Sequence, residues 1–205
     1  MNHYELDNLR ETFSRLFVLA VRNKINFTSF TNLLCQSEFL SKIERNKIED
    51  IMNIPIEKIL FSITGFEVKV DNSYGVYNDA YWSGQNYFDL YLRTRKSFTY
   101  IFLKLPLTEM MNKYSIFHEM DFTSLLDYFN KKEKDKTILR LLCEKKNCSL
   151  NDISKATSLS LNTLKKYNSS DELLYKGSFQ NIAKLIRYFD VSYLLFIDEK
   201  RIIPS

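Results

Sequence analysis

Glycine and proline are almost missing from this chain: its 205 residues include four Gly and three Pro. Antiparallel sandwiches and barrels need a tight turn roughly every 8–12 residues and lean on those two residue types to make it. A chain this poor in turn formers does not supply them. With 45% apolar and 15% aromatic residues, it still has ample material for a buried core, far from the composition of disorder. The expectation is a mostly α-helical protein.

Hydrophobic spacing gives the same answer. In 4–24, Leu6, Leu9, Phe13, Leu16, Phe17 and Ala20 recur at three- and four-residue steps, with Arg10, Glu11 and Arg15 off the stripe. Helical pieces are expected at 28–46, at 47–63 (with Pro55 at a helix start), at 79–94, and near 97–104, 106–115 and 121–132. The exception is Phe66-Glu-Val-Lys-Val70, which alternates and runs into Asp71-Asn-Ser-Tyr-Gly75, the best candidate for a single β-hairpin. Asn130-Lys-Lys-Glu-Lys-Asp-Lys136 has no apolar residue and reads either as a linker or as a solvated helix end. Taken as a linker, it divides the chain into a helical dimerisation or partner-binding domain, 1–133, and a smaller domain, 134–205.

Charge follows that division. Residues 1–134 carry 17 Lys and Arg against 17 Asp and Glu, whereas 135–205 carry 12 against 8, so the whole excess of four lies in the last third. A local basic surplus is what a phosphate-contacting module needs. Cys35, Cys143 and Cys148 lack the second Cys/His pair of a zinc site, and with two His in the chain no metal or other cofactor is expected. The odd cysteine count fits reduced thiols in a cytoplasm, and Leu16–Val21 is far too short to span a membrane. The chain's richness in Lys, Asn, Ile, Phe and Tyr fits an AT-rich coding sequence.

Five helical segments fit into the last third. The first is Thr137 to Lys146, with Ile138, Leu141 and Leu142 on one face. The second begins at Ser149, a capping hydroxyl with Asp152 three positions on, and runs to about Ala156. The third opens at Ser160 and runs to about Tyr167. A polar loop, 168–177, leads to a fourth opening at Ser178 with Ile182, Ala183, Leu185, Ile186 and Phe189 inward. Ser192 caps a last turn through Phe196.

Within Ser149-Leu-Asn-Asp-Ile-Ser-Lys-Ala-Thr-Ser-Leu-Ser-Leu-Asn-Thr-Leu-Lys-Lys-Tyr167 each position has a physical job. Ile153 and Ala156 bury the first helix of the pair, and Ser154 is small where the two helices cross. Ser158 takes the turn position where Gly is commonest, Leu159 plugs the core, and Leu164 anchors the second helix. Leu161, Asn162, Lys165 and Lys166 are left to face a groove, with Thr163 at the edge.

This pattern resembles the Cro/C1 repressor-type (xenobiotic-response-element-like) helix-turn-helix family over about 136–197, including Asn181-Ile-Ala-Lys-Leu-Ile-Arg-Tyr-Phe-Asp-Val191. It departs from the family at Thr157, where Leu is common, and at Leu161, where a polar residue is usual. The resemblance implies a five-helix domain that binds double-stranded DNA as a homodimer. It implies that Asn162, Thr163 and Lys165 read base edges, and that Ser149, Ser160, Lys166 and Lys176 hold phosphates.

The N-terminal part is less telling. Tyr81-Trp-Ser-Gly84 and His118-Glu-Met-Asp121 resemble a group of small proteins of low-GC bacteria associated with toxin–antitoxin loci. The plainer reading of Tyr81, Trp82, Tyr87, Phe88 and Tyr91 is a buried helix, with Gly84 permitting close packing. Phe122 stands where a zinc-protease helix needs its second His, so His118 reads as a helix-end residue. Glu67 and Lys69 alone make a weak nuclease pattern. The expected function is therefore transcriptional repression without catalysis. The alternative is an antitoxin or mobile-element inhibitor that binds a protein partner (a toxin, or a host or phage factor) through its N-terminal domain and represses its own operon.

Overall fold

The computed structural model describes residues 3–67 and 77–196. Its described residues form fourteen α-helices and no strand. Phe66 and Glu67 are not in a strand, and the rest of the expected hairpin, with Lys69, lies outside the described residues. The chain divides into two compact units, Met1–Leu126 and Asp127–Ser205.

In the first unit the helices are α1 (His3–Arg22), α2 (Phe27–Gln36), α3 (Glu38–Glu44), α4 (Ile56–Thr64), α5 (Asn78–Thr94), α6 (Phe98–Lys104), α7 (Leu107–Asn112) and α8 (Tyr114–Phe117). Helix α9 (Phe122–Asp135) runs across the boundary, so most of the charged segment read as a linker, up to Asp135, is helix. Its lysines and Glu133 have good helix propensity, and no Gly or Pro stands among them to stop the helix.

Helix α1 is the centre of the first unit. Leu16, Phe17, Val18, Leu19 and Ala20 are all fully buried, so α1 is covered on every side there rather than along one stripe. Its closest neighbour is α5. A Cβ at Gly84 would stand 2.6 Å from the Ser14 Cα, so Gly84 is what lets the two backbones meet. The polar groups at that crossing are satisfied within their own helices: Ser14 Oγ donates to Arg10 O at 2.7 Å and Ser83 Oγ to Asp79 O at 2.7 Å.

Around this crossing lies an aromatic cluster. Phe13 stacks on Phe98 with ring centroids 4.9 Å apart, Tyr91 on Phe98 at 4.4 Å, and Tyr87 meets Phe102 edge-on at 4.6 Å. Tyr87 is fully buried, and its hydroxyl donates to Leu105 O at 2.7 Å. Tyr87 and Phe88 thus belong to the core, while Trp82 rests half-buried against Tyr114. His118 stacks on Tyr114 at 4.5 Å with its Nδ1 2.8 Å from Tyr114 O, a helix-end position.

Ionisable groups are also set into this framework. Glu44 Oε1 accepts the Phe98 N–H at 2.8 Å at the start of α6. Burial pushes its pKa up to about 7 despite that hydrogen bond. Asp89, paired with Arg10, is also raised, because burial outweighs the guanidinium beside it.

The second unit continues with α10 (Ile138–Lys146), α11 (Leu150–Thr157), α12 (Leu161–Ser169), α13 (Asp171–Tyr175) and α14 (Phe179–Phe189), closed by a 3₁₀ turn at Tyr193–Phe196. The segment expected to be a polar loop contains α13, whose Leu174 is fully buried. Its core is mostly aliphatic: Ile138, Leu139, Leu142, Ile153, Leu159, Leu164, Leu174 and Leu185, with Tyr167 and Phe189 at its margin. On α14 only Leu185 and Phe189 are buried. Ile182, Ala183 and Ile186, expected inward, are half-buried. Among the described residues no helix is long and apolar enough to cross a membrane.

Candidate nucleic-acid interface

Helices α11 and α12 are joined by three residues, and the α11 side chains stitch that turn. Ser158 has φ +57°, the left-handed conformation that ends α11, and its N–H reaches Ser154 O at 2.9 Å. Ser154 Oγ donates to Leu159 O at 2.6 Å. Thr157 Oγ1 donates to Ile153 O at 2.6 Å and accepts the Leu159 N–H at 3.3 Å. Leu159 then points into the core. Thr157 is thus buried and uses its hydroxyl to hold the turn. Ala156, expected to bury α11, is exposed, and Ile153 with Thr157 forms the inner face instead.

Helix α12 has two clean faces. Leu164 and Tyr167 are buried, Tyr167 being held by Asn181, whose Nδ2 donates to the Tyr167 hydroxyl at 3.2 Å. A Cβ at Gly177 would come within 2.8 Å of that hydroxyl, so Gly177 makes room for it. Leu161, Asn162, Lys165 and Lys166 are exposed together on the opposite face at three- and four-residue spacing. Neither lysine has an acidic partner among the described residues. Leu161 is 38% exposed, an apolar contact offered at the head of this face.

The two helix starts differ electrostatically. At α11, Ser149 and Asp152 form a reciprocal capping box: Asp152 N donates to Ser149 Oγ at 3.2 Å, and Ser149 N donates to Asp152 Oδ2 at 2.9 Å. The Ser149 hydroxyl also donates to that carboxylate at 2.6 Å, which holds the Asp152 pKa below the usual range. Ser149 therefore faces a carboxylate within its own cap. At α12, Ser160 Oγ accepts the Thr163 N–H at 3.1 Å and no acidic residue stands in the first turn. That leaves the positive end of α12 uncompensated and open to an anion.

Two further residues expected at the interface also have near partners. Thr163 is half-buried and its hydroxyl meets that of Ser160 at 2.9 Å, so it serves the cap before any base edge. Lys176, exposed, is tied to Glu172 at 2.6 Å and carries a carboxylate with it. Sequence reading missed Asp171, whose Oδ1 accepts the Ile138 N–H at 2.6 Å and fixes the α10 start to the segment after α12. Its partner lies 33 residues away, and no local pattern signals such a bond. Among the described residues no three His, Cys, Asp or Glu side chains gather to hold a metal ion.

No known protein family, curated protein or solved structure matches the chain.

Proposed function

We propose that the second unit is a repressor-type helix-turn-helix domain, that it binds double-stranded DNA sequence-specifically, and that the protein is a transcriptional repressor acting as a homodimer. The observation that carries this reading is the outer face of α12. Asn162, Lys165 and Lys166 project from one side of a short helix whose other side is anchored by Leu164 and Tyr167. A protruding helix of this size fits a major groove.

In this reading Asn162 pairs with adenine N6 and N7, and Lys165 with guanine O6 or N7. Each contact discriminates by about 1–3 kcal/mol. Leu161 packs on a thymine methyl, which gives its apolar side chain a purpose at the groove. The α12 N-terminus with Ser160, and Lys166, take phosphates and set the register. The four-charge excess in 135–205 supplies the non-specific attraction. A homodimer would place two such helices one helical turn of DNA apart, about 34 Å.

The test is fluorescence anisotropy of the full chain against duplex DNA from its own upstream region and a scrambled duplex, across a salt series. A preference on the order of a thousandfold supports the reading. Equal, weak binding to both duplexes defeats it. One observation favours the second reading, a partner-binding antitoxin or inhibitor. Ile116 and Met120 are about half exposed beside the Trp82–Tyr114–His118 stack, an apolar surface on the first unit. Co-purification of one stoichiometric protein, lost on Ile116→Asp, would favour it.

A further inference from the structure

Helix α10 ends in a motif that brings two cysteines together. Asn147 adopts φ +50°, its N–H reaches Glu144 O at 3.2 Å, and the Cys148 N–H reaches Cys143 O at 3.0 Å. This paired hydrogen-bond pattern packs the residue after the left-handed position against the residue five before it, usually as an apolar contact. The same pattern ends α1 and α3 here. The corresponding pairs there are Ala20 with Ile25 and Lys42 with Lys47. At α10 the two positions are held by thiols.

Both thiols are half-buried and line one surface recess with Arg140, Asn147 and Ser149. Their surroundings are unequal. Cys148 Sγ receives hydrogen bonds from the Cys143 thiol and from the Tyr188 hydroxyl, the latter pushing Tyr188 up to about 12. Tyr188 is itself fixed by Lys146, whose Nζ donates to Tyr188 O and lies 4.4 Å from the ring centroid. Burial, the neighbouring Cys148 and Glu144 push Cys143 up to about 12. Cys143 is thus the sulfur that keeps its proton, and Cys148 the sulfur that both donors face.

We infer that Cys143 and Cys148 form a reversible dithiol–disulfide site whose oxidant is a hydroperoxide. The Cys148 thiolate attacks the peroxide oxygen, giving a sulfenic acid and releasing the alcohol, or water from hydrogen peroxide. Cys143 then attacks the Cys148 sulfur. The S–S bond forms, the sulfenic oxygen leaves as water with the Cys143 proton, and two thiols are oxidised as one peroxide is reduced. The Cys148 N–H bond to Cys143 O at 3.0 Å holds the two residues next to each other, as the bridge requires. The bridge would lock the turn that leads into Ser149 and α11. The inference does not depend on DNA binding.

The test uses the full chain, reduced, then treated with a modest molar excess of hydrogen peroxide, blocked with iodoacetamide and digested with trypsin. Cleavage after Arg140, Lys145, Lys146 and Lys155 separates the two cysteines. Peptides 141–145 and 147–155 are expected to run as one species, lighter by two hydrogens than the pair, and to separate on reduction. Cys35 is expected to remain alkylated. In the Cys143→Ser protein, dimedone is expected to trap a sulfenic acid on Cys148. Alkylation of both cysteines after peroxide overturns the proposal, as does a bridge through Cys35 or between chains. Dimedone capture on Cys143 in the Cys148→Ser protein as fast as on Cys148 in the Cys143→Ser protein overturns the order of attack.

Discussion

The two units are built by different means. In the first, order comes from long-range packing. Four of its helices, α4, α5, α7 and α8, start without any side-chain cap hydrogen bond, two of them on Pro55 and Pro106. The centre of the unit is held by rings from α1, α2, α5 and α6. In the second, α10, α11, α12 and α14 each begin on a Ser or Thr whose hydroxyl accepts a first-turn N–H. A small unit has little area to bury, so local hydrogen bonds must fix where each helix begins and ends. The smaller unit caps four of its five helix starts in this way, all but α13. The larger one caps α2, α3 and α6 on Asn26, Ser37 and Ser97 and leaves α4, α5, α7 and α8 to packing.

Substitutions can break that contrast. The largest effect is expected from Phe13→Ala, which empties the centre of the ring cluster and costs about 4 kcal/mol in denaturant unfolding of the first unit. Gly84→Ala forces a methyl against the Ser14 backbone and is expected to cost about 3 kcal/mol. Both should leave the unfolding of the second unit in place. A loss shared by both units would show that they are not separately stabilised.

Glu44 sharpens the comparison through pH. Its folded pKa of about 7 lies above the ordinary 4.5, so between those values the folded state holds a proton that the unfolded state has lost. Stability of the first unit is therefore full below about pH 4.5 and falls as pH rises to 7, by roughly 3 kcal/mol. Glu44→Gln keeps the acceptor for the Phe98 N–H and should flatten that part of the pH profile, leaving the smaller contribution of Asp89. An unchanged slope in the Gln variant would mean that Glu44 is not the titrating group.

In the second unit the effects should be smaller and local. Ser160→Ala removes the α12 cap and is expected to cost about 1 kcal/mol. Ser158→Gly relieves a left-handed φ at a non-glycine residue and should stabilise by a few tenths of a kcal/mol up to about 1. Thermal melts of the two variants should move in opposite directions.

Legibility in the sequence follows the same division. Ser149, Ser160 and Ser178 announce helix starts through short-range chemistry, and Ser158, Leu159 and Leu164 do what their spacing requires. The outer face of α12 was legible for the same reason. What periodicity missed depends on distant partners. Leu16–Ala20 is buried all round because α1 is surrounded, which no stripe reports. Asp171 matters through Ile138, and Tyr167 through Gly177 and Asn181. Ser149, Thr163 and Lys176 are engaged by near neighbours in sequence, Asp152, Ser160 and Glu172. Those rivals were visible in the sequence, at three- and four-residue spacing, but residue type alone does not say which partner a hydroxyl or ammonium takes.

The central claim, that the outer face of α12 reads DNA, is tested most directly by the Asn162→Ala/Lys165→Ala protein in the same anisotropy measurement. The account predicts that the preference for upstream over scrambled duplex collapses while weak, salt-sensitive binding through Lys166 and the α12 N-terminus survives. A double variant that folds as the parent does and still distinguishes the two duplexes as well as the parent would contradict it.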